Sequence, residues 1–247
     1  MKRMIMLLMF IASLTVVSQE EVLLRLNYTE GDNYSIKIEQ KQNSGLQGGM
    51  SMNMTLDMTV MDISADTTIT ASKITSISMN MMRGEMSMSY DSSMKEEDLD
   101  QMGVMLKTQF DPMMDATIYR SYNSFGNLTQ TTIEPDVSAF ASQMTGDSSD
   151  IDYPKEKVSV GSSWTSEKEN QGMKTSTIYT VKEIKEGVVY LDLTGTVSGQ
   201  GSGSLNGTSE IEISSGIAKK TDIKMTITIQ EGMSMNVSSN ITITKAE

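Results

Sequence analysis

Residues 50–60 read Met-Ser-Met-Asn-Met-Thr-Leu-Asp-Met-Thr-Val, with an apolar side chain at every second position. The same alternation returns at 77–81 and, after the Arg83-Gly84 break, at 86–90. A period of two places successive side chains on opposite faces of a β-strand, so these segments predict strands with one apolar face. Most of the apolar residues are methionine, whereas strands more commonly use Val, Ile or aromatic residues.

Alternation with the same period continues on both sides of this stretch. Two hairpins are predicted at 22–38 and 117–133, with turn sequences at 30–33 and 124–127. Three strands are predicted in the last 40 residues, at 208–243. The odd-numbered apolar residues there are expected to share one face.

The strand predicted at 67–82 breaks the alternation once. Ile69, Ala71 and Ile77 have the same parity as Met79, whereas Ile74 is out of phase. An extra residue inserted at a β-bulge produces such a change of phase. We therefore expect a bulge near Ile74, with Ile69 and Ala71 on the same face as Met79.

The period changes to that of a helix between residues 93 and 110. Ser93 and Glu96 match a capping box, and Asp111-Pro112 predicts the end of the helix. A single apolar stripe predicts that this helix packs on the sheet. The residues at helical spacing are Leu99, Met102, Met105 and Leu106.

Together these patterns predict a mainly β (α+β) protein. We expect a strongly curved antiparallel sheet or half-barrel, with one amphipathic helix packed on its concave face, in a single β-rich domain at 19–247. Halves 19–145 and 151–247 contain short signals in the same order, such as Gly-x-x-aromatic at 31–34 and 161–164. One interpretation is a duplicated half, and the other is a chance match of a common pattern.

Residues 1–18 have the layout of a secretory signal peptide. Lys2 and Arg3 precede an apolar run, and small residues precede an expected cut after Ser18. The run is shorter than the roughly 20 apolar residues that span a bilayer. We therefore expect export to the periplasm or the outside of the cell, and no membrane-spanning segment in the mature chain.

The amino-acid composition argues against several classes of function. The 247 residues contain no cysteine and no histidine, so disulfides, the commonest general base and the commonest metal ligand are absent. A formal charge of −12 argues against nucleic acid as a partner. Residues 92–95 match the Ser-x-x-Lys of acyl-enzymes, but the companion motifs are missing. We expect no enzyme activity, no catalytic residues and no cofactor.

Two motifs carry a resemblance to a known group of proteins. The first strand ends at Gly-Asp-Asn-Tyr (31–34), and Val-Ser-Val-Gly-Ser-Ser-Trp (158–164) opens the second half. With the signal peptide and the central helix, these resemble an uncharacterised family of exported bacterial proteins. That family is distantly similar to the half-barrel carriers of lipoproteins and lipids in the bacterial envelope. The resemblance implies a fold and a class of ligand, but no catalytic residues.

Fifteen of the twenty methionines beyond residue 18 lie between positions 50 and 114. One interpretation is that methionine fills an ordinary core, because its flexible thioether side chain suits irregular gaps. A second is a groove for a hydrophobic ligand, because methionine surfaces adapt to varied partners. A third is a site for Cu(I) or Ag(I), because thioethers select soft metals.

The leading hypothesis is a non-enzymatic exported protein that binds or carries a hydrophobic small molecule or lipid in a methionine-lined groove. Soft-metal binding and an envelope scaffold or interaction module with a filled core are the alternatives. The sequence assigns no metal ligands and no oligomeric state. The residues predicted to line the groove are Met52, Met54, Met79, Met81, Met86, Met88, Met102 and Met105.

Overall fold

A computed structural model describes residues 20–45, 48–137, 151–170, 172–229 and 233–246. The predicted signal peptide at 1–18 therefore lies outside the described residues. The described ranges contain twelve strands and one α-helix, α1, at Gln101–Asp115. The strands are Asn33–Asn43 (β1), Gly49–Ser64 (β2), Thr67–Arg83 (β3), Met86–Asp91 (β4), Thr117–Asn123 (β5), Leu128–Glu134 (β6), Ser163–Asn170 (β7), Met173–Lys185 (β8), Val188–Gly199 (β9), Gly201–Glu212 (β10), Ile217–Ile229 (β11) and Ser234–Lys245 (β12).

All twelve strands belong to one antiparallel sheet, which confirms the prediction of a mainly β protein. The order is β6-β5-β3-β2-β1-β12-β11-β10-β9-β8-β7, and β4 pairs with the part of β3 that extends beyond β5. From β1 to β6, successive strands lie progressively farther from the central β1–β12 pair. From β7 to β12, successive strands lie progressively closer to it. In this order β6 and β7 are the two edges, so the sheet is not closed.

The two halves open with the same local structure. Gly31 N donates to Val60 O at 2.9 Å, and Gly161 N donates to Val181 O at 2.8 Å. In each half the backbone amide of this valine also donates a 2.9 Å hydrogen bond to the carbonyl oxygen of the residue after the glycine. The two glycines have φ of +83° and +88°, a conformation that favours glycine. The matched motifs thus adopt matching structures, and duplication stays an interpretation.

One face of the sheet carries the buried side chains, and we call it the covered face. In β2, Met52, Met54 and Leu56 are buried, whereas Asn53 and Asp57 on the opposite face are exposed. This confirms the predicted alternation. The register also confirms that the odd-numbered apolar residues of β11 and β12 share one face, which includes Ile223, Met225, Ile227, Met235, Val237 and Ile241.

The bulge predicted in β3 is present, but part of the face assignment is wrong. Ile74 opposes Leu56 on β2, and the register shifts by one residue at Thr75, between Ile74 and Ser76. The bulge therefore changes the phase between Ile74 and Ile77, and both side chains reach the covered face. In the preceding part of β3 the even positions are covered, so Ile69 and Ala71 lie on the other face.

The helix begins and ends later than predicted. Ser93 donates its backbone amide to Asp91 Oδ1 at 2.8 Å, so it belongs to a turn and does not cap the helix. Asp100 is the N-cap and accepts from Gly103 N at 2.7 Å. Pro112, predicted to end the helix, lies inside it.

Helix α1 packs against β3 and β4 on the covered face. Its buried residues are Gly103, Leu106, Phe110 and Met113. Phe110 stacks on Tyr90 of β4 with 5.1 Å between ring centroids. Sequence spacing alone placed Met102 and Met105 in the buried stripe. That expectation is wrong, because the buried stripe follows Gly103, Leu106, Phe110 and Met113, and Met102 and Met105 each precede a residue of this stripe and so lie about 100° away from it.

Two segments outside the strands also lie on the covered face. The first of them shows that the hairpin predicted at 22–38 is wrong, because β1 forms its second arm but residues 20–28 form no strand and do not pair with β1. We call residues 20–28 the first strap and residues 151–158 the second strap. Val22 and Val158 pair through two backbone hydrogen bonds of 2.9 and 2.8 Å. Leu24 and Tyr153 are buried in one core cluster with residues of β8 to β11. The straps therefore add a second layer to the sheet.

The second strap also joins the two edges of the sheet. Asp152 accepts a 2.6 Å hydrogen bond from Asn127, which directly precedes β6, and another from Ser166 of β7. Ten inter-strand spacings of roughly 4.8 Å would separate the edges of a flat sheet by about 48 Å. Since one side chain reaches both edges, the sheet is curved.

Candidate ligand-binding site

A cavity of about 230 Å³, here called the central cavity, lies between the covered face and the straps. Strands β1, β2, β3, β5, β11 and β12 contribute to it, as do both straps. The lining is mixed: the inward positions of these strands supply Ile, Leu and Met, and polar side chains and backbone groups supply a comparable share. Its aliphatic residues include Ile36, Ile38, Met54, Leu56, Met58, Ile118, Ile241 and Ile243.

The strand register explains why these residues meet. Ile38 of β1 is paired with Met54 on one side and with Ile241 on the other. Ile36 is likewise paired with Leu56 and Ile243. Two rows of apolar side chains therefore cross the middle of the sheet. They join strands that are about 200 residues apart in sequence, between Ile36 and Ile243.

The straps close the cavity from above. Leu26, Tyr28, Ile151 and Tyr153 face it. Tyr153 donates its backbone amide to Phe125 O at 2.7 Å and its hydroxyl to the carbonyl oxygen of Gly216. These bonds anchor the second strap to hairpins of both halves, so the cover has fixed attachment points.

Arg25 ties the two straps together beside the cavity. Its guanidinium donates to the carbonyl oxygens of Pro154 at 2.7 Å and Lys155 at 2.6 Å. The guanidinium carbon also lies 4.2 Å from the centroid of the Phe125 ring, a cation–π contact. Arg25 is thus part of the cover, and it does not line the cavity.

Arg120 is the one charged residue among the described residues that line the central cavity. It lies on β5 between Ile118 and Tyr122, which are buried on the same face. The register places it opposite Thr70 of β3, which is 1% exposed. The hydroxyl of Thr70 is buried without a hydrogen-bond partner among the described residues. One wall of the cavity is therefore polar.

A second hollow of about 500 Å³, here called the C-terminal groove, adjoins the central cavity along β12. Ser239 and Ile241 line both spaces. The walls of the groove are strands β7 to β12 and the start of β6, with Asp152 at the border between the sheet edges. Trp164, the only tryptophan, stacks on Tyr179 of this wall with 5.4 Å between ring centroids.

The predicted methionines do not gather around one groove. Of the eight, only Met54 lines a described cavity. Met52, Met54 and Met79 are 4%, 2% and 7% exposed and belong to the core, the latter two within the cluster that includes α1. Met81 and Met88 are half-buried. Met86, Met102 and Met105 are 69%, 38% and 47% exposed.

The register nevertheless brings three methionines of adjacent strands into one row. Met81 of β3 is paired with Met50 of β2 on one side and with Met88 of β4 on the other. Side chains at directly opposed positions share a face, so all three lie on the covered face, each half-buried. Met52 and Met79 form the next row inward.

Two kinds of feature are absent from the described residues. Within residues 20–246, outside the undescribed gaps, no helix has the length and apolarity needed to cross a membrane. The same residues contain no cluster of three or more acidic side chains placed to hold a metal ion.

Sequence reasoning missed the aliphatic rows, the straps and Arg120. The alternation of Ile36 with Ile38, and of Ile241 with Ile243, was visible in the sequence. The β1–β12 pairing that joins them was not, because local periodicity carries no information on which distant strands are neighbours. The same holds for Arg120, a single cation in an otherwise ordinary strand.

Comparisons with known proteins identify a structure with a similar fold, but they identify no family. No family model matches the chain, and no curated protein matches it. A solved structure of lipovitellin that describes its lipid–protein interactions is similar, with a TM-score of 0.64 at 11% sequence identity. The match covers 90% of this chain and 26% of the lipovitellin chain, so this protein corresponds to about a quarter of that one. At this identity the likeness shows a shared fold.

Proposed function

We propose that this protein is a non-enzymatic binder or carrier of a hydrophobic ligand, held in the central cavity. The observation that carries the proposal is the cavity itself, since about 230 Å³ is left unfilled beneath two anchored straps, with aliphatic rows on part of its wall and polar groups on the rest. Apolar cavities with a few polar groups are typical ligand sites. An envelope scaffold with a filled core would need no such space.

The finer architecture in this proposal is a strongly curved half-barrel whose concave side is the covered face. The contacts of Asp152 with both sheet edges support it. So does the central cavity, which is lined by strands as far apart in the sheet as β5 and β11. Helix α1 and the straps would then lie on the concave side and shield the ligand from water.

A lipid is the ligand class that we propose. The fold is shared with lipovitellin, whose solved structure describes lipid–protein interactions. The aliphatic rows from Ile36 and Ile38 supply a surface against which an acyl chain gains favourable burial, at about 25 cal/mol per Å².

The test is native mass spectrometry of gently purified protein, with one variant that fills the cavity and one that does not. Ile241→Trp adds an indole inside the cavity, and Ile69→Trp adds the same group to the opposite face. Co-purifying lipid is expected in the wild type and Ile69→Trp, and its loss in Ile241→Trp. A ligand-free mass in repeated wild-type preparations would remove the proposal.

We also propose that the protein is exported to the periplasm or beyond, with residues 1–18 removed. The sequence layout of those residues supports this. N-terminal sequencing of protein recovered from the native host is expected to begin after Ser18. A mature chain that retains Lys2 and Arg3 would contradict export by this route.

Binding of a soft metal is a second candidate function, favoured by the row Met50–Met81–Met88. Opposed residues of adjacent strands have Cβ atoms roughly 4.5–5.5 Å apart, so three flexible thioethers can converge on one ion. Titration with Ag(I) is expected to show one site that Met81→Leu removes and Met61→Leu preserves. Absence of binding, or equal binding by both variants, would exclude it.

A further inference from the structure

The central cavity is too small to hold a long lipid chain by itself. Its volume of about 230 Å³ has room for about eight non-hydrogen atoms, at the roughly 30 Å³ that one water molecule occupies in the liquid. The C-terminal groove, at about 500 Å³, has room for about seventeen by the same measure. Typical ligand sites measure roughly 300–1,000 Å³, a range that includes the groove and excludes the central cavity.

The two spaces meet at β12. Ser239 and Ile241 of this strand line both of them. Ser239 is paired with Ile223 of β11 on the groove side and with Gln40 of β1 on the cavity side. Both spaces lie on the covered face, so no strand of the sheet separates them. A chain that is too long for the central cavity can therefore continue into the groove without crossing the sheet.

The floor of the groove is aliphatic and crosses strands β9, β10 and β11. The lining residues on these strands that are buried are Leu193, Val197, Leu205, Ile223 and Ile227. The polar lining residues lie mainly on β7 and β8 and beside Asp152, toward the edge of the sheet. A hydrocarbon chain on the floor is thus in contact with a continuous apolar surface, where its burial is favourable.

Glycines on the β9–β10 hairpin explain why there is space above this floor. The odd-numbered residues of both strands point to the covered face, as the burial of Leu193 and Leu205 shows. In the register Gly207 lies between Leu193 of β9 and Ile223 of β11. A missing side chain in such a row leaves depth between its aliphatic neighbours. The glycines with this parity inside the two strands are Gly195, Gly203 and Gly207.

From this arrangement we propose that the ligand is a lipid whose hydrocarbon chain has more than about eight carbons and extends from the central cavity along the floor of the C-terminal groove. This inference rests on the proposed function and adds the length and the course of the chain. From β8 to β12 the floor crosses four inter-strand spacings, about 19 Å at roughly 4.8 Å each. A chain that fills one leaflet of a bilayer, half of the roughly 30 Å hydrocarbon core, is about 15 Å long and fits this path.

The test measures the affinity of the full mature chain for octanoate, dodecanoate and hexadecanoate by equilibrium dialysis with radiolabelled probes. Val197→Phe places a larger side chain inside the groove. Thr196→Phe places the same ring at the adjacent exposed position on the opposite face and is the matched control. Neither residue lines the central cavity, so the two variants differ only in the space left in the groove.

The wild type and Thr196→Phe are expected to bind each longer probe at least about tenfold tighter than the preceding one. Four added methylenes contribute about fourfold each when buried, and the ordering of the chain reduces this gain. Val197→Phe is expected to keep its affinity for octanoate within about twofold, because octanoate fits in the central cavity alone. The same variant is expected to lose most of the gain from dodecanoate to hexadecanoate.

Fluorescence of the unaltered protein provides a second readout. Trp164 is the only tryptophan; it stacks on Tyr179, and its Nε1 donates to the backbone carbonyl of Asp152. Tyr179 and Asp152 both line the groove. Hexadecanoate dibrominated at mid-chain is expected to quench Trp164, because bromine quenches indole fluorescence at short range. An unquenched signal at saturating ligand would overturn the placement of the chain in the groove.

Two outcomes of the dialysis would overturn the inference while leaving a hydrophobic site in the central cavity. One is a wild-type affinity that stops rising after octanoate, and the other is an undiminished gain for hexadecanoate in Val197→Phe. Failure of all three probes to bind the wild type would instead overturn the proposed function on which the inference rests.

Discussion

Asn127 donates a 2.6 Å hydrogen bond to Asp152 across the gap between the two edges of the sheet. Asn127 directly precedes β6, and the second carboxylate oxygen of Asp152 accepts from Ser166 on β7. The backbone carbonyl of Asp152 also accepts from Trp164 Nε1 at 2.7 Å. One residue of the second strap thus links edge strands that do not pair with each other among the described residues, and it holds the curved sheet in shape at that end.

Replacing Asp152 with alanine is expected to lower the free energy of unfolding by about 2 kcal/mol, because two part-buried polar groups lose a charged acceptor. Urea denaturation of the variant measures the loss. Asp66→Ala, in the exposed turn before β3, is the control and is expected to change stability by less than about 0.5 kcal/mol. Equal stability of the two variants would show that the sheet edges do not depend on this contact.

Met54→Ala is expected to destabilise the protein by about 2–5 kcal/mol, because Met54 is 2% exposed and its removal leaves a hole in the core cluster that also contains residues of α1. Met54→Leu conserves volume and should cost less than about 1.5 kcal/mol. Met86→Ala, at an exposed position, is the matched control. Similar denaturation midpoints for Met54→Ala and Met86→Ala would contradict a packed methionine stripe.

A comparison of Gly216→Ala with Gly84→Ala distinguishes the destabilisation caused by steric crowding from that caused by backbone strain. Both glycines have positive φ, +67° and +62°. A Cβ at Gly216 would lie 1.9 Å from the carbonyl oxygen of Arg25, whereas one at Gly84 meets nothing within 4 Å. Gly84→Ala is expected to lower the free energy of unfolding by about 1 kcal/mol. Gly216→Ala is expected to lower it by clearly more, because the added Cβ also clashes with Arg25.

Hydrogen exchange provides the second readout for this pair. Asn27 N donates to Ser215 O at 2.8 Å, so displacement of the first strap by Gly216→Ala should speed exchange at Asn27. Gly84→Ala should leave that amide unchanged. Unaltered exchange in both variants would show that the strap is not held against the β10–β11 turn.

Asp32 gives the protein a pH dependence of defined sign. The hydrogen bond from Lys245, at 2.7 Å, lowers the pKa of the Asp32 carboxyl below its value in the unfolded chain, and the Tyr34 hydroxyl adds to this. A lowered folded-state pKa stabilises the protein above the unfolded pKa of about 3.9, and this contribution is lost as pH falls through the folded pKa.

The wild type should therefore melt at a higher temperature than Asp32→Asn at pH 6, and the difference should shrink as pH falls below the unfolded-state pKa of about 3.9. Lys182→Gln, which removes one partner of the exposed ion pair with Asp192, is the control expected to show little difference at either pH. A constant difference between the wild type and Asp32→Asn from pH 6 to pH 2 would contradict the assignment.

Most of the strands could be predicted because each one carries its own alternation, but residues 22–28 alternate as well and form the first strap instead of a strand. Met52 and Met54 on one parity, with Asn53 between them, are enough to define a face. The bulge near Ile74 could be predicted for the same reason, but its effect on Ile69 and Ala71 could not. The alternation on its own does not indicate whether the residues before the bulge or those after it have the expected parity on the covered face.

The helix start and the cavity could not be predicted from local patterns. Ser93 matched a capping box, but Asp91, two residues earlier, binds its amide and hydroxyl in a turn. The cavity depends on the β1–β12 pairing and on straps fixed by Arg25 and Asp152, all of which are contacts between distant parts of the chain. Hydrophobic periodicity identifies apolar faces, but it does not show whether they leave a space between them.

The most direct test of a ligand in the central cavity is a crystal structure of the protein with a fatty acid brominated near its methyl end. The anomalous signal locates the bromine without reference to a model of the lipid. It should lie within about 4 Å of Leu56 or Ile241, which is the range of apolar contact. Bromine found only on the outer surface, or none bound at saturating concentration, would contradict the account.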